Sequence, residues 1–565
     1  MAKINWKTLL KTFNQKYFWI LAVILVIPAC LAFFHQGFFP THDYIYVARI
    51  QQMFEALRNI QFPVRWVSGF RYGEPLFNFY APLPYYLGAL VHLLGFTYLT
   101  TAKILYSLSF VLSGITMFYL AKKFLGNWAS LAVSTLYVYA PYRSVDTYVR
   151  GAMSEAWTFV FFPLIILFTI QLGKSFSKKI FGLLILSLAG LFLTHNILTI
   201  LFIPFYLVFC VFWFWKEKSF AFIKRVGLAL GLGVGVAATY LFPAFLEKGL
   251  IQTQNLTQMY FNYEGHFVAL RQFIIPSWGY GASLWGPVDD MSFQIGLVHW
   301  GVYALAFGLF VILLKKIKEK EIKVWFVSAT VLFVLSLFMQ HNRSTFIWQL
   351  FPPLGFVQFP WRFLALSVFF VTLAGIPAFY LIKKKLVIWL SILVIVLTVV
   401  INIGYFKPDM YYEDSIDAHY VSPEALSIDD KLPKDYLANG VKVIKLEKMT
   451  SPQVLEGQAE ISNYQQKGTR VSLTVNSDQG AIIEVPATYF PGWYTKINGK
   501  KTETFVGDEQ GLVAFKVLPG ESKVLAKFGN TPIRSVSNIL SIISLGLTLL
   551  LFVDTKNKIK LFKKI

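Results

Sequence analysis

Long apolar runs separated by short, lysine-rich polar segments fill the first 405 positions of the chain. Runs of about 20 apolar residues are long enough to cross the hydrocarbon core of a bilayer as helices. The first of them, YFWILAVILVIPACLAFF, follows a basic start and shows no small-residue cleavage site, so we expect an uncleaved helix. The pattern predicts a polytopic α-helical membrane protein.

The positions of the lysines decide how many runs cross the membrane. If residues 82–96 (PLPYYLGALVHLLGF) formed a span, Lys122, Lys123 and the tail KNKIKLFKKI would lie outside, against the positive-inside rule. If these residues instead form an interfacial helix, as their prolines, paired tyrosines and short length favour, every lysine cluster becomes cytoplasmic. We therefore predict about twelve spans in the plasma membrane, with both termini cytoplasmic.

The predicted spans lie near 17–36, 102–121, 127–143, 156–173, 179–195, 197–215, 225–246, 295–314, 323–340, 363–382, 385–405 and 535–553. Between them, the predicted outer loops are the first loop (37–101), the second loop (144–155), the third loop (247–294) and the fourth loop (341–362).

The period changes from helical to alternating after residue 405. Runs such as RVSLTVNS, GAIIEVPA, GLVAFKV and KVLAKFG are separated by DQG, NGK and PGE turns, which is typical of short strands in a sandwich. We predict a transmembrane domain over 1–405 and an extracytoplasmic, β-sandwich-like domain over 406–534. A last transmembrane helix and a basic cytoplasmic tail occupy 535–565.

Composition agrees with a membrane protein, because 56% of the residues are hydrophobic and only 15% are charged. The net charge of +22 comes mainly from lysines in the predicted cytoplasmic segments, which argues against nucleic acid as a partner. Cys30 and Cys210 lie in apolar runs and indicate no disulfide framework. Nucleotide-driven transport is disfavoured because no Walker loop appears.

Most acids outside the β-rich region fall in the predicted outer loops, so any chemistry should be external. Asp43, in FFPTHDYIYVARIQQ, lies just past the first span, where a carboxylate partly removed from water can act as a base towards a hydroxyl. Its neighbour His42 can orient it or hydrogen-bond within the loop. The alternative is structural: Thr41 or Asp43 can cap a juxtamembrane helix.

The second loop, SVDTYVRGAMSEAW, places Asp146, Arg150 and Glu155 next to the bilayer, where charges are costly unless paired or functional. Arg150 can form a structural ion pair with Glu155, or bind a phosphate through its planar guanidinium. Both interpretations stay open.

Aromatic and cationic residues elsewhere in the outer loops are candidates for binding a lipid-linked substrate. Aromatic faces with polar edges suit sugar rings or polyprenyl chains, but a headgroup-level aromatic belt has the same composition. Singly, residues at span ends are more often anchors than ligands, whereas together the arginines supply external cations for an anionic lipid headgroup. The candidates are Arg65, Trp66, Tyr72 and Tyr80 in 61–86, His195 and Asn196 after the fifth span, Trp361 and Arg362 in QFPWRF, and Arg271 and Arg343.

The order of these motifs resembles the GT-C superfamily of membrane glycosyltransferases. Within it, THDYIYVARIQQ, the RW…G…YGEPLFNFYAPLPYYL run, YVRGAMSEAW, LTHN and QFPWRF resemble the bacterial membrane family labelled 6-pyruvoyl-tetrahydropterin-synthase-related. That label describes a soluble enzyme that this chain does not resemble. The segment TYFPGWYTKINGK with LPGESKVLAKF is similar to the tail of a neighbouring group of bacterial membrane proteins.

The resemblance implies that Asp43 is the first-loop catalytic carboxylate and that Asp146 or Glu155 is the second-loop acid. It also implies a polyprenyl-phosphate-linked sugar donor, with arginines contacting the phosphate. Many relatives carry two adjacent acids in the first loop, whereas His42 precedes Asp43 here. A divalent metal such as Mg²⁺ or Mn²⁺, held by Asp43 and Glu155, is therefore left open, because hard ions prefer more oxygen ligands.

The expected activity is transfer of a sugar, with inversion, to an acceptor hydroxyl of a cell-surface glycan, lipid or protein. The alternative is a non-enzymatic membrane protein that transports, flips or binds lipid-linked glycans. Acids confined to the outer membrane edge, with none in mid-span, argue against proton-coupled transport. Trp493, in the PGW turn, is expected to pack against the sandwich rather than to bind glycan.

Overall fold

The structure is a computed structural model that describes residues 17–286, 288–427, 434–444 and 449–553. It consists of a helical bundle followed by a C-terminal β-sheet domain and one further long helix. The basic start MAKINWKTLLKTFNQK and the tail KNKIKLFKKI, which we expect to be cytoplasmic, lie outside the described residues.

Seven helices of the described chain are long and apolar enough to cross a membrane, as in a multi-pass membrane protein. An eighth span results if two consecutive helices, bent by 78° at their junction, count as one. The seven are Tyr98–Ala121, Met153–Lys174, Asn196–Glu217, Lys320–Gln340, Pro360–Leu381, Lys384–Tyr405 and Pro532–Leu550, and the bent pair is Phe220–Val236 with Ala238–Leu246.

The other four predicted spans form shorter apolar helices, of 12 to 17 residues. Asn127–Val138 has 12 residues, all but the first two buried, and it ends just before Pro141, whose ring cannot continue the backbone hydrogen bonds of a helix. Lys178–Thr194 has 17 residues. The shorter apolar helices also include Phe18–Phe34, Leu83–Leu93 and Leu297–Leu313. The count of twelve spans, like the interfacial position of 82–96, therefore stays a prediction.

Further helices lie in the loops that connect the long ones. They are Tyr46–Arg58, Leu76–Phe79, Pro141–Ser144, Thr345–Leu350, Ala418–Val421 and Pro423–Ser427, with a π-helix at Val145–Val149.

Three of the segments expected to be cytoplasmic meet at one end of the bundle. Glu321 lies 2.8 Å from Lys174 and 3.9 Å from Lys216, which in turn contacts Glu217. Since these residues come from three different helix ends, three of the lysine-bearing segments lie close together, while the side of the membrane that they face stays a prediction.

The β-domain contains two antiparallel sheets that enclose an apolar core, so the predicted strands are confirmed. The strands are β1 Gln453–Gly457, β2 Glu460–Lys467, β3 Arg470–Ser477, β4 Ala481–Thr488, β5 Trp493–Ile497, β6 Lys500–Thr502, β7 Phe505–Val506, β8 Leu512–Val517 and β9 Gly520–Phe528. One sheet has the order β1-β4-β8-β7 and the other β2-β3-β9-β5-β6. Alternate side chains of β3 are buried, as its sequence pattern requires.

The first loop packs directly against the β-domain through aromatic rings. Trp66 is buried and its ring meets Trp493 edge-on at 5.6 Å and Phe528 at 4.9 Å. Tyr72 accepts a hydrogen bond from the Met449 backbone N–H on its hydroxyl, at 2.7 Å. Trp493 thus packs between the loop and the sandwich, in agreement with the packing interpretation of the PGW turn.

Glu247 connects the loops, the β-domain and the last helix. Its carboxylate accepts hydrogen bonds from Asn78 of the first loop at 2.8 Å, from Thr531 at 2.6 Å and from Arg534 Nε at 2.9 Å. Arg534 is itself fully buried, and its guanidinium also lies over the rings of Phe490 and Phe528. A buried arginine of this kind is stable only while its carboxylate partner is present.

We predict that Glu247→Ala destabilises the protein by about 3–5 kcal/mol, because it leaves the Arg534 charge buried without its partner. The measurement is the thermal unfolding of the purified variant in detergent. Glu264→Ala, an exposed acid of the same loop, is the matched control. An unchanged unfolding temperature for Glu247→Ala would contradict this role.

Candidate functional site

A cavity of about 780 Å³ lies where the four predicted outer loops converge with the segment ahead of the β-domain. Polar and charged side chains form much of its wall, and apolar residues of two membrane helices form another part. Among the sequence candidates, the cavity is lined by His42, Asp43, Tyr80, Arg150, Glu155, His195, Asn196, Trp361 and Arg362.

The first and second loops are joined backbone to backbone at the cavity. The N–H of His42 donates to the carbonyl of Val149 at 3.0 Å, and the N–H of Asp43 donates to that of Arg150 at 2.8 Å. Gly151 permits this approach because it has a φ of +69° and no side chain. A Cβ at this position would lie 2.4 Å from the Asp43 carbonyl oxygen. The two loops therefore share one rigid junction.

Asp43 lies in a turn ahead of the Tyr46–Arg58 helix, whose N-cap is Ile45 without a side-chain cap hydrogen bond, so Asp43 supports the turn but is not itself the cap. Its Oδ1 accepts from the Ile45 N–H at 3.1 Å, just ahead of the Tyr46–Arg58 helix, and its Oδ2 accepts from Arg49 at 3.2 Å. The Asp43 side chain nevertheless keeps 38% of its surface exposed and lines the cavity. Arg49 is buried and lies over the Tyr80 ring at 4.2 Å. The local turn thus fixes the carboxylate without covering it.

His42 contacts the third loop instead of the catalytic candidate. Its Nε2 donates to the carbonyl of Tyr280 at 2.9 Å, and no hydrogen bond joins its ring to Asp43 in the described structure. The His42 ring thus joins the first loop to the third loop, and neither of its two expected roles, orienting Asp43 or bonding within its own loop, matches this contact.

Arg150 is held by both acids of the second loop. Its Nη1 lies 2.7 Å from Asp146 Oδ1 and 2.9 Å from Glu155 Oε2, and it donates to the Tyr142 hydroxyl at 3.1 Å. Its guanidinium lies 4.6 Å from the centre of the Trp361 ring. Arg150 therefore forms the structural ion pair considered from the sequence, and the carboxylates of Asp146 and Glu155 already balance its charge.

The two second-loop acids differ in their access to the cavity. Both acids are fully buried; Asp146 lies behind Arg150 and does not line the cavity, whereas Glu155 forms part of its wall. Burial and the neighbouring Glu155 carboxylate raise the pKa of Asp146, and Arg150 opposes that rise. Glu155 also accepts a hydrogen bond from the Tyr142 hydroxyl at 2.5 Å. Of the two, Glu155 is the acid that can reach a ligand.

Arg362 is a cavity cation that makes no ion pair with a carboxylate among the described residues. Its Nη1 donates to the Val357 carbonyl at 2.8 Å and to Gln358 Oε1 at 2.9 Å, both uncharged acceptors. Its buried Nε has no hydrogen-bond partner among the described residues, where no carboxylate lies within ion-pair distance. An anion in the cavity would find both a charge and a free donor here.

His195 and Asn196 lie where the Asn196–Glu217 helix begins. The Leu198 N–H donates to His195 Nδ1 at 3.0 Å, so a neutral ring carries its proton on Nε2. Asn196 donates to the Phe79 carbonyl at 2.8 Å and accepts from the Tyr240 hydroxyl. Both residues therefore line the cavity, and Asn196 also fastens the first loop to the bundle.

Besides Asp146, five other sequence candidates do not line the cavity. Arg65 donates to the Thr239 carbonyl and to Asn538 Oδ1, both at 2.7 Å, and so ties the first loop to the bent pair and the last helix. Trp66 and Tyr72 face the β-domain. Arg271 and Arg343 lie on the exposed surface.

Several cavity residues were not among the sequence candidates. Arg49 lies six positions after Asp43 in a helix whose other buried residues are uncharged, and that single buried charge was a usable signal. Lys248 lies at the exposed rim, with its Nζ 5.0 Å from the Phe245 ring centre. Asp435 and Tyr436 reach the cavity only through the return of a distant segment, which periodicity does not reveal.

The acids proposed as metal ligands do not fit a resident divalent ion as they are placed. Asp43 is held by Ile45 and Arg49, while Glu155 is held by Tyr142 and Arg150. No group of three or more His, Cys, Asp or Glu placed to hold a metal occurs in the described parts of the chain. Metal dependence stays a prediction, and no step below uses a metal.

No protein-family model matches the chain. A protein of Lactococcus lactis subsp. cremoris (strain MG1363), described only as uncharacterized, is 26% identical over 261 residues. The match covers 42% of this chain and 41% of that protein, so the chain spans less than half the length of this relative. These similarities assign no family or activity, and the resemblance to GT-C enzymes stays a prediction.

We predict that Gly151→Ala disrupts the junction between the first two loops. The new methyl group would lie 2.4 Å from the Asp43 carbonyl oxygen and 2.5 Å from Thr41 Oγ1, and the positive φ adds strain, so we expect a loss of about 1–3 kcal/mol in stability. Thermal unfolding in detergent measures it. Gly249→Ala, whose Cβ would meet nothing within 4 Å, is the control. Equal unfolding temperatures would refute the assigned constraint.

Proposed function

We propose that this protein is a membrane glycosyltransferase that moves a sugar from a polyprenyl-phosphate-linked donor to an acceptor hydroxyl. The proposal places the reaction on the extracytoplasmic face of the plasma membrane. The observation that carries it is one cavity that combines an accessible carboxylate, Asp43, with a guanidinium not paired to a carboxylate, Arg362.

The apolar part of the cavity wall supports a lipid-linked donor. Ile200 and Phe245 line the cavity from two candidate membrane helices and are 45% and 69% exposed. Exposed apolar side chains of a membrane helix face lipid, so a prenyl chain can lie against them while its phosphate enters the polar part. Lys248, at the same rim, adds a cation at the depth of the headgroup.

The proposed reaction is a single displacement. The acceptor hydroxyl oxygen forms a bond to the anomeric carbon of the donor as the bond from that carbon to the phosphate oxygen breaks. Asp43 accepts the hydroxyl proton, and the polyprenyl phosphate leaves with the electron pair of the broken bond. Attack opposite the leaving group inverts the anomeric centre.

Arg362 is the residue best placed to stabilise the departing phosphate. A phosphate leaving group needs no general acid when cations balance its charge. Arg150 is less suited, because Asp146 and Glu155 already neutralise it. In this proposal Arg150 and Glu155 maintain the shape and charge of the cavity, and the imidazole Nε2–H of His195 is available to donate to the substrate.

A non-catalytic protein that binds or transports lipid-linked glycans is the second candidate. The observation that favours it is that both oxygens of Asp43 already accept hydrogen bonds from the protein. The same cavity would then hold the lipid phosphate and sugar without transfer. If the protein is a glycosyltransferase, removal of the Asp43 charge should abolish formation of the glycosylated product. If it only binds or transports the glycan, the same change should leave the glycans unaltered.

We predict that Asp43→Asn lowers sugar transfer about 10²–10⁴-fold, the usual contribution of a general base. Asparagine keeps an oxygen for the Ile45 N–H, so the helix start should persist, but buried Arg49 loses its charged partner and the unfolding temperature should fall. Unfolding temperatures are therefore recorded in parallel. Mass spectrometry of lipid-linked sugars and surface glycans would compare wild type, a deletion strain and the variant.

A donor lipid that accumulates in both the deletion and the Asp43→Asn strain, with one glycan residue missing, is the expected result and identifies the sugar. Asp414→Asn, an exposed acid, serves as the control and should behave as wild type. If the deletion alters the glycans but Asp43→Asn does not, the carboxylate only supports the turn and the binding or transport candidate replaces the enzyme.

We also predict that Arg362→Gln lowers turnover about 10²–10³-fold, because the departing phosphate loses its main charge partner. The surface-exposed Arg343→Gln should leave turnover unchanged. Release of polyprenyl phosphate from the donor by detergent-solubilised protein is the measurement, with unfolding temperatures recorded in parallel. Full activity of a folded Arg362→Gln variant would remove this residue from the proposed mechanism.

A further inference from the structure

Asp435 and Tyr436 enter the cavity from outside the loops that supply its other polar residues. They belong to the segment 434–444 that precedes the β-domain. The backbone of this segment is fixed to the third loop: the Gln252 N–H donates to the Leu437 carbonyl at 2.9 Å, and Gln252 Nε2 donates to the Val441 carbonyl at 2.6 Å. The position of Asp435 is therefore set by paired backbone.

Aromatic rings line the cavity next to Asp435. The ring of Tyr436 stacks on Phe79 at 6.1 Å with an interplanar angle of 9°, and it meets Tyr80 edge-on at 6.2 Å. The Tyr80 ring also lies against the guanidinium of Arg49. Tyrosine rings present an apolar face with a polar tip, which matches a sugar ring with its C–H faces and hydroxyl edge.

The carboxylate of Asp435 has no hydrogen-bond donor among the described residues, although it lies in the cavity wall. Each of the other two cavity acids, Asp43 and Glu155, is held by protein donors. Burial raises the pKa of Asp435, while the charge of Arg49 opposes that rise. A partly buried carboxylate without donors is costly, and hydroxyl groups of a ligand would relieve that cost.

We propose that Asp435, together with Tyr80 and Tyr436, forms a subsite that binds the carbohydrate acceptor. Its carboxylate accepts hydrogen bonds from acceptor sugar hydroxyls while the tyrosine rings contact the sugar. The inference rests on the proposed glycosyltransferase function and adds to it a saccharide acceptor.

The arrangement separates the roles of the cavity acids. Asp43, held in a turn beside the second loop, is the base, and Asp435 determines which hydroxyl compound is presented to it. The segment that carries Asp435 also connects to the β-domain, since Gly511 of that domain lies against Gly440. The acceptor subsite and the β-domain are thus built on one continuous part of the chain.

The test is a binding measurement with the full-length protein in detergent. The probe is the envelope glycan extracted from the deletion strain, which carries the unmodified acceptor if the proposed function holds. Asp435→Asn should weaken binding about tenfold or more, because a hydrogen bond to a charged acceptor is lost, while Asp414→Asn should bind as wild type. Asp435→Asn should also raise the acceptor KM while hydrolysis of the donor by water stays unchanged.

Each outcome separates this inference from the proposed function. Weaker binding by a folded Asp435→Asn variant supports the subsite. Equal binding by Asp435→Asn and wild type overturns it even when transfer is intact, and so does an absence of glycan binding by wild type. The proposed function itself stands or falls on the composition of the lipid-linked sugars and glycans in the deletion and Asp43→Asn strains, which mass spectrometry reads independently of the binding measurement. Melting temperatures of all variants identify any loss through misfolding.

Discussion

The buried guanidinium of Arg150 is the interaction on which the cavity depends. A charge removed from water at the end of a helical bundle is stable only with excellent compensation. Here Asp146, Glu155 and the Tyr142 hydroxyl compensate it, and Trp361 covers its face. Because the backbone carbonyl of the same arginine also accepts the N–H of Asp43, the second loop, the fourth loop and the start of the first loop are positioned by a single residue.

This arrangement explains why the sequence predicted part of the site well. Charges beside an apolar run are rare and must be paired or used, so Asp43, Arg150, Glu155 and Arg362 stood out in their loops, and all four line one cavity. The sequence could not show which acid faces the ligand. Asp146 and Glu155 are both near Arg150, but a π-helix turns Asp146 behind it.

The remaining site could not be predicted because it depends on contacts between distant segments. Asp435 resembles many other loop acids until Gln252 fixes its segment beside the third loop. Conversely, Arg65 and Trp66 lie in a segment whose composition suits a binding loop, yet their partners are Asn538 and Trp493. Composition alone does not distinguish an aromatic residue that meets a ligand from one that meets another domain.

The sequence predicted which segments form helices and which form strands. It was less informative about how many of the helices cross the membrane. Alternating burial in β3 and apolar runs such as Tyr98–Ala121 gave the domains, because each period reports one local geometry. Helices such as Asn127–Val138 are apolar because they are buried in protein, not because they must face lipid along a full bilayer. Hydropathy is equally high for a helix buried in protein and for a helix that faces lipid. The number of spans therefore cannot be counted from hydropathy without the helix lengths.

A structural role in the turn and the proposed role as a base are compatible for Asp43, because its carboxylate has more hydrogen-bond acceptor sites than the protein uses. A carboxylate offers about four lone-pair directions, and Ile45 and Arg49 use two of them. The turn restrains the side chain in one rotamer, which removes conformational entropy that a free base would lose during reaction. Its remaining exposed surface faces the same cavity as Arg362. Held by the turn and by Arg49, Asp43 has the defined position that the proposed base requires.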